Sequence, residues 1–156
     1  MNVRKASRED LSGIVDLLHE FAEFEKLTDY FKITEQKLAK VLFGSEAFVE
    51  CLVAVDAECL VAIAIFYPNF ATFRGQTGMY LEDIYIKSEY RGVGLGSKLL
   101  KEVAKTARFR GCERLDFVVL DWNTTAIKFY EKHGAIRVDE ERRFKFIDNA
   151  FTNLCS

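Results

Sequence analysis

The sequence has few of the residues that mark several classes of protein. It contains one proline and two histidines in 156 residues, and 22 basic side chains nearly balance 24 acidic ones, for a formal net charge of −2. The longest stretch without a charge, residues 59–73, has 15 residues and includes Pro68, whereas a membrane-spanning helix needs about 18–20 apolar residues. We therefore expect no membrane association and, without a basic surplus, no nucleic-acid partner.

Cysteine is also sparse, and none of the four cysteines forms a C-x-x-C pair. Their number and spacing suit neither a secreted disulfide scaffold nor a zinc site. The first ten residues lack the apolar region of a secretory signal. These features predict a cytoplasmic protein with reduced thiols and no metal. Because 49% of the residues are hydrophobic, the chain has enough apolar material for a core, and its length predicts one domain over residues 1–156.

Hydrophobic periodicity predicts an α/β fold. Apolar residues spaced by three and four follow Ser7, which is a candidate helix cap, and Thr34 is a candidate cap for a second, short helix. Further helices are expected over residues 97–110 and from residue 123 or 124 to residue 132. Apolar and β-branched runs predict strands at residues 3–6, 48–55, 59–67, 79–86, 114–120 and 142–147, with a hairpin turn at 56–58. This order indicates a mixed sheet covered by helices on both faces.

Three of the nine glycines, Gly92, Gly94 and Gly96, lie between a predicted strand and a predicted helix. Such a loop can point backbone N–H groups at an anion, and the helix N-terminus adds positive potential. The spacing fits neither a P-loop, which requires G-x-x-x-x-G-K-[ST], nor the dinucleotide pattern G-x-G-x-x-G, because Ser97 stands where that pattern needs its third glycine. The alternative is a plain turn that uses glycine for its positive φ.

The run Arg91-Gly92-Val93-Gly94-Leu95-Gly96 resembles the [RQ]-x-x-G-x-[GA] motif of the GNAT superfamily of acetyl-CoA-dependent N-acetyltransferases. Other segments resemble the diamine acetyltransferases within it, and the segment beginning at Glu23 together with Leu120-Asp121-Trp122-Asn123 is most similar to the type-2 branch, which acetylates thialysine. The similarity covers about residues 4–135. The segments that carry it are Glu23-Phe24-Glu25-Lys26-Leu27, Tyr80-Leu81-Glu82-Asp83-Ile84-Tyr85, Glu89-Tyr90-Arg91-Gly92, Leu120-Asp121-Trp122-Asn123 and Phe129-Tyr130-Glu131-Lys132-His133-Gly134-Ala135.

The resemblance implies a mostly antiparallel sheet that splays apart around acetyl-CoA, which would be a co-substrate. It also implies a homodimer with active sites near the subunit interface. The expected cofactor contacts are Ile84, Tyr85, Ile86, Arg91, Gly92, Val93, Gly94, Leu95, Gly96, Ser97, Asn123, Ala126 and Tyr130. The expected amine contacts are Phe24, Glu25 and Glu82, with Asp116, Phe117 and Val118.

Acetyl transfer to an amine requires a group that accepts a proton, because an alkyl ammonium has a pKa near about 10.4. Glu82 is the candidate base, since a charged carboxylate is unusual in a strand of apolar and aromatic residues and suggests a functional role. A salt-bridged or edge-facing glutamate is the structural alternative, and neighbouring Asp83, which should face the other side of the strand, is its competitor. Tyr130 is the candidate acid for the departing thiolate. Residue type alone favours a core aromatic beside Phe129, but the resemblance in Phe129-Tyr130-x-x-x-Gly134 favours the acid.

The function predicted from these residues is direct acetyl transfer to a primary amine of a small molecule such as a thialysine-like amino acid, a diamine or a polyamine. Acetylation of a protein lysine or N-terminus is an alternative, as is a non-catalytic module that senses acetyl-CoA. A cluster of aromatic residues is expected to be exposed and to support the dimer: Phe66, Tyr67, Phe70 and Phe73.

Overall fold

In the computed structural model, which describes residues 1–156, all strands belong to one five-stranded sheet. The chain divides into two units, Met1–Val118 and Val119–Ser156. The first unit contains β1 (Asn2–Lys5), α1 (Leu11–Glu25), α2 (Glu35–Phe43), β2 (Glu50–Asp56), β3 (Cys59–Ala71), β4 (Gln76–Ile86), α3 (Leu95–Phe109) and β5 (Leu115–Asp116). The second unit contains α4 (Thr124–Lys132) and α5 (Asp148–Leu154).

The strands lie in chain order, β1-β2-β3-β4-β5, and neighbours pair antiparallel except for β4 and β5, which are parallel. The β2–β3 turn occurs where it was expected, because Ala57 and Glu58 both adopt positive φ, at 44° and 70°. This mixed, mostly antiparallel sheet with flanking helices confirms the predicted fold class.

Alternation along the strands creates two buried faces. On one face, α1 and α2 pack on alternate residues of the central strands through Ile14, Leu17 and Leu38. The intervening residues Ala54, Ala62 and Ala64 are also fully buried, so the opposite face is covered as well. The amphipathic helix α3 contacts β2, β3 and β4. Its buried stripe is Leu95, Leu99, Val103 and Ala107.

The entry to α1 is fixed by a carboxylate network. The backbone N–H of Ser7 donates to Asp10 Oδ2 at 2.7 Å, as the predicted cap requires, although a short 3-10 turn, Arg8–Asp10, precedes the α-helix. Arg4 donates two further hydrogen bonds to the Asp10 carboxylate, at 2.6 and 2.8 Å. The Arg4 hydrogen bonds lower the pKa of this buried carboxyl to about 2.

Three sequence-based expectations were wrong. The strand expected over residues 114–120 is only Leu115–Asp116, since beyond Asp116 the chain no longer pairs with β4. The strand expected over residues 142–147 is absent although the sequence alternates there, because this segment pairs with no strand of the sheet. Phe66 is 1% exposed and belongs to the core, whereas Phe70 and Phe73 are exposed as expected.

Candidate active site

The glycine loop ends at the first turn of α3. Gly92 and Gly94 have φ values of 79° and 85°, and a Cβ added at either would meet no atom within 4 Å. Gly94 directly precedes the helix and offers no side chain to cap it. The first N–H groups of a helix have no partner within it, so this end of α3 presents donors to an open space that suits a phosphate.

The other loop residues differ in conformation and in burial. Gly96 lies in the first turn of α3 and is not among the glycines with positive φ, so backbone conformation does not account for it. Leu95 is buried in the core at 3% exposure, whereas Val93 is exposed. A contact of Leu95 with a cofactor would therefore use its backbone rather than its side chain.

Beside the loop, the outer edge of β4 is open. Pairing with β5 includes only Met79 and Tyr80, whereas β4 continues to pair with β3 as far as Ile86. Residues 81–86, which include Ile84, Tyr85 and Ile86, therefore have a strand partner on one side only. An exposed edge of this kind accepts an extended ligand through main-chain hydrogen bonds. The sheet opens where the resemblance predicted it would.

A β-bulge interrupts β4 at Glu82. Ile65 pairs with Asp83 and Phe66 pairs with Leu81, which leaves Glu82 without a residue opposite it. Its Oε2 accepts a hydrogen bond of 2.7 Å from the Tyr67 hydroxyl. Glu82 is exposed and forms no ion pair, so the salt-bridged alternative is not realised, whereas the edge-facing alternative fits its position. Bulges of this kind redirect side chains and are frequent beside active sites.

Asp83 is the second carboxylate of this strand and lies in a different environment. Its side chain is partly buried, and the neighbouring groups that act on its charge are the carboxylates of Glu82 and Glu25. Burial raises its pKa from 3.8 to about 7, with further contributions from the negative charges of Glu82 and Glu25. Burial also raises the pKa of Glu25. The charges of Glu82 and Glu25 are thus close enough to act on Asp83, and the sequence pattern did not indicate the nearness of Glu25 to Asp83.

Phe24 and Glu25 end α1, and Arg91 approaches them from the glycine loop. Phe24 is 40% exposed. The Arg91 guanidinium carbon lies 4.9 Å from the centre of the Phe24 ring and 5.4 Å from that of Tyr85. The contact with Phe24 brings a predicted amine residue of α1 next to a predicted cofactor residue, although the two are more than 60 residues apart in sequence.

The Asp116 carboxylate accepts hydrogen bonds from two other side chains of the protein. Arg114 Nε and Asn69 Nδ2 donate to its Oδ2 at 2.8 and 2.9 Å, and the Arg114 interaction lowers its pKa. A Cβ on Gly78 would come within 2.4 Å of Asn69 Oδ1, so the network also depends on that glycine. Sequence reasoning missed Asn69 because it lies 47 residues from Asp116. Of the neighbouring candidates, Phe117 is half-buried and Val118 is exposed.

The remaining candidates belong to the second unit. Asn123 caps α4, because its Oδ1 accepts a hydrogen bond of 3.2 Å from the Ala126 N–H. Tyr130, on the same helix, is 8% exposed, and its ring centre lies 5.1 Å from that of Phe129. The predicted helix start at residue 123 or 124 is confirmed, and Asn123 has a structural role that its sequence position as a cap already suggested.

An open strand edge beside a helix terminus whose first N–H donors have no partner within the helix has the geometry that an extended, phosphate-bearing ligand requires. Residues 11–135 match the family described as the acetyltransferase (GNAT) family. The chain belongs to this family and is an acetyltransferase whose co-substrate is acetyl-CoA. None of its helices combines the length and apolar character that crossing a membrane requires.

Individual relatives agree with this assignment. A thialysine N-epsilon-acetyltransferase of Bos taurus is 42% identical, over 97% of this chain and 95% of the relative. An L-ornithine N5-acetyltransferase of Arabidopsis thaliana is 31% identical, over 85% of this chain and 78% of the relative. Among solved structures, an integron cassette protein from the mobile metagenome of V. cholerae superposes with a TM-score of 0.82 at 26% identity, covering 99% of this chain and 96% of that one.

Proposed function

We propose that this chain, acting as one domain over residues 1–156, transfers the acetyl group of acetyl-CoA directly to the terminal primary amine of a small molecule, and that it prefers a thialysine-like amino acid to a polyamine. The observation that carries the proposal is the construction of β4. One strand supplies an open edge for an extended ligand, a bulge with carboxylates, and the approach to the glycine cradle. Relatives named for acting on thialysine and L-ornithine support an amino-acid substrate.

The described residues fit acetyl-CoA. In the proposal, the pyrophosphate accepts hydrogen bonds from amides of the glycine cradle, where a side chain on Gly92 or Gly94 would fill the open space. The pantetheine arm pairs with the open edge at Ile84, Tyr85 and Ile86. Asn123 uses its Oδ1 to cap α4, which leaves its Nδ2 for the cofactor. The complete proposed set is Ile84, Tyr85, Ile86, Arg91, Gly92, Val93, Gly94, Leu95, Gly96, Ser97, Asn123, Ala126 and Tyr130.

Acetyl-CoA supplies the reactive thioester, and the chain supplies proton transfer. The incoming ammonium must lose a proton before its nitrogen can attack, and we assign that proton to Glu82, directly or through water. Asp83 lies next to Glu82, and its raised pKa of about 7 suits a group that exchanges protons near neutral pH. As the carbon–nitrogen bond forms and the carbon–sulfur bond breaks, the Tyr130 hydroxyl would donate its proton to the departing sulfur. The second proton that the attacking nitrogen loses would pass through water and restore the tyrosine.

Negative charge at the end of α1 favours a cationic substrate. Glu25, Glu82 and Asp83 together attract an ammonium group, and Phe24 offers an aromatic face beside them. The proposed amine contacts also include Asp116, Phe117 and Val118. The Asp116 carboxylate is neutralised by Arg114, so it attracts the ammonium group of the substrate less strongly than Glu25 does.

The proposal also includes a cytoplasmic location, no resident metal, no nucleic-acid or membrane partner, and a homodimer. Support for a dimer comes from the β3–β4 connection, where Phe70 and Phe73 expose 61% and 108% of their surface. Exposed aromatic side chains in one region are typical of an association surface. Because Phe66 is buried, this surface is smaller than the sequence suggested.

The test is acetyl transfer into a panel of amines, followed by release of the CoA thiol. Tyr130→Phe removes one hydroxyl, and we expect kcat to fall about 10²–10⁴-fold with little change in the KM for acetyl-CoA. Tyr30→Phe is the matched control, because Tyr30 is 74% exposed. Full turnover by the Tyr130 variant would remove it as the acid. With thialysine and spermidine at equal concentration, we expect mainly acetylthialysine; mainly acetylspermidine would overturn the substrate preference alone.

A further inference from the structure

The Arg91 side chain is held by the protein in a defined position. Its Nε donates a hydrogen bond of 2.8 Å to the Ile86 carbonyl. Its guanidinium lies over the Phe24 ring at 4.9 Å and the Tyr85 ring at 5.4 Å. One side chain thus joins the glycine loop, the end of β4 and the last turn of α1.

The two rings differ in how firmly they are held. Tyr85 is buried at 8% exposure and stacks on Phe21 with ring centres 5.3 Å apart. Its hydroxyl also lies 3.4 Å from Glu20 Oε2. Phe24 is 40% exposed and lies on the final turn of α1, next to Glu25. Tyr85 is therefore the buried support, and Phe24 is the ring at the surface that Arg91 contacts.

We propose that Arg91 is a positioning residue that couples the occupancy of the acetyl-CoA loop to the shape of the amine site at Phe24 and Glu25. This inference rests on the proposed function. Arg91 immediately precedes Gly92, so a ligand that restrains the glycine loop also restrains the guanidinium, and through it the Phe24 ring. Energetic coupling of this kind is reciprocal, so acetyl-CoA and the amine each tighten the binding of the other.

The chemistry of the side chain suggests which variants are informative. Lysine keeps the positive charge, and with it the attraction for a pyrophosphate, but it loses the planar guanidinium and the Nε donor that reaches Ile86. Leucine at position 24 keeps apolar bulk but removes the ring. Cation–π contacts at exposed sites change an equilibrium by about 2–5-fold, and we expect losses of coupling of this size.

The experiment measures the dissociation constant of thialysine by calorimetry, without CoA and with saturating CoA, in the full chain. The ratio of the two constants is the coupling. We expect a ratio of about 5 or more in the wild type, and a ratio about 2–5-fold smaller in Arg91→Lys and in Phe24→Leu. The double variant should lose no more than either single one, because both changes break the same contact. Arg108→Lys, an exposed position on α3, is the charge-preserving control and should keep the wild-type ratio.

The outcomes separate this inference from the function on which it rests. A wild type that binds CoA and acetylates thialysine, but whose coupling ratio is unaltered by Arg91→Lys, overturns the inference and leaves the function intact. Additive losses in the double variant also overturn it, because Arg91 and Phe24 would then act independently. A wild type that does not bind CoA overturns both. A melting temperature for each variant shows that the fold is retained, which is expected because both substituted side chains are exposed.

Discussion

We expect the ionised Asp83 carboxylate to lower the free energy of unfolding at neutral pH. It lies partly buried on β4, without a cationic partner, close to the charges of Glu82 and Glu25. Asp83→Asn keeps the shape of the side chain and removes its charge. We therefore expect this variant to be more stable than the wild type at neutral and alkaline pH, while being less active. Exchanges of stability against activity are common at catalytic sites.

The size of the effect follows from the pKa of Asp83. Folding raises this pKa from 3.8 to about 7, so between these values the folded state binds more protons than the unfolded state, and stability falls as pH rises. A pKa difference of about 3, at about 1.36 kcal/mol for each pKa unit, corresponds to about 4 kcal/mol. Because the neighbouring carboxylates titrate together with Asp83, we expect a gain of about 2–4 kcal/mol for Asp83→Asn above pH 7.

Urea unfolding at about pH 5 and at about pH 8 measures this directly. The quantity of interest is the difference in unfolding free energy between variant and wild type, because the titration of other groups largely cancels in it. We expect this difference to favour the variant far more at about pH 8 than at about pH 5. Asp16→Asn, at an exposed position of α1, should show no such pH dependence. An equal difference at both pH values would refute the raised pKa of Asp83.

Two further predictions concern the cofactor and the entry to α1. Gly94→Glu should weaken CoA binding by about 10–100-fold in calorimetry, as expected for losing hydrogen bonds to a charged group. Gly111→Glu is the control, because Gly111 has a similar φ of 78° and equally open surroundings. This control should lose a similar amount of stability but keep its affinity for CoA. Asp10→Asn should lower the unfolding free energy by about 2 kcal/mol at neutral pH, because folding lowers the pKa of the Asp10 carboxyl to about 2. The ionised carboxylate therefore stabilises the folded protein above about pH 4, and this contribution disappears as the pH falls toward about 2. Wild-type affinity for CoA in the Gly94 variant would contradict the assignment of the glycine loop to CoA. In urea titrations, a loss of unfolding free energy in the Asp10 variant that is the same at low and neutral pH would contradict the lowered pKa of Asp10.

Local signals in the sequence predicted most elements, because periodicity and capping act over a few residues. Thr34 caps α2 with its side chain, as its position suggested, and the turn after Asp56 joins β2 to β3. The glycine loop was placed correctly for the same reason, since positive φ at Gly92 and Gly94 is a local requirement. Prediction failed for residues 142–147, because alternation cannot show whether a partner strand exists.

The site depended on the tertiary structure to a larger extent. By itself, the sequence determined the motif at residues 91–96, the candidate carboxylates and the family that they resemble, since these are properties of residue type and spacing. Only the tertiary structure decided that Asp116 accepts a hydrogen bond from Asn69, that Glu82 occupies a bulge, and that Arg91 lies over Phe24. It also decided that Asp83 has a raised pKa, because burial and the nearness of Glu25 arise when α1 packs against β4. Contacts between residues distant in the chain, and the loss of water around them, exist only once the chain is folded.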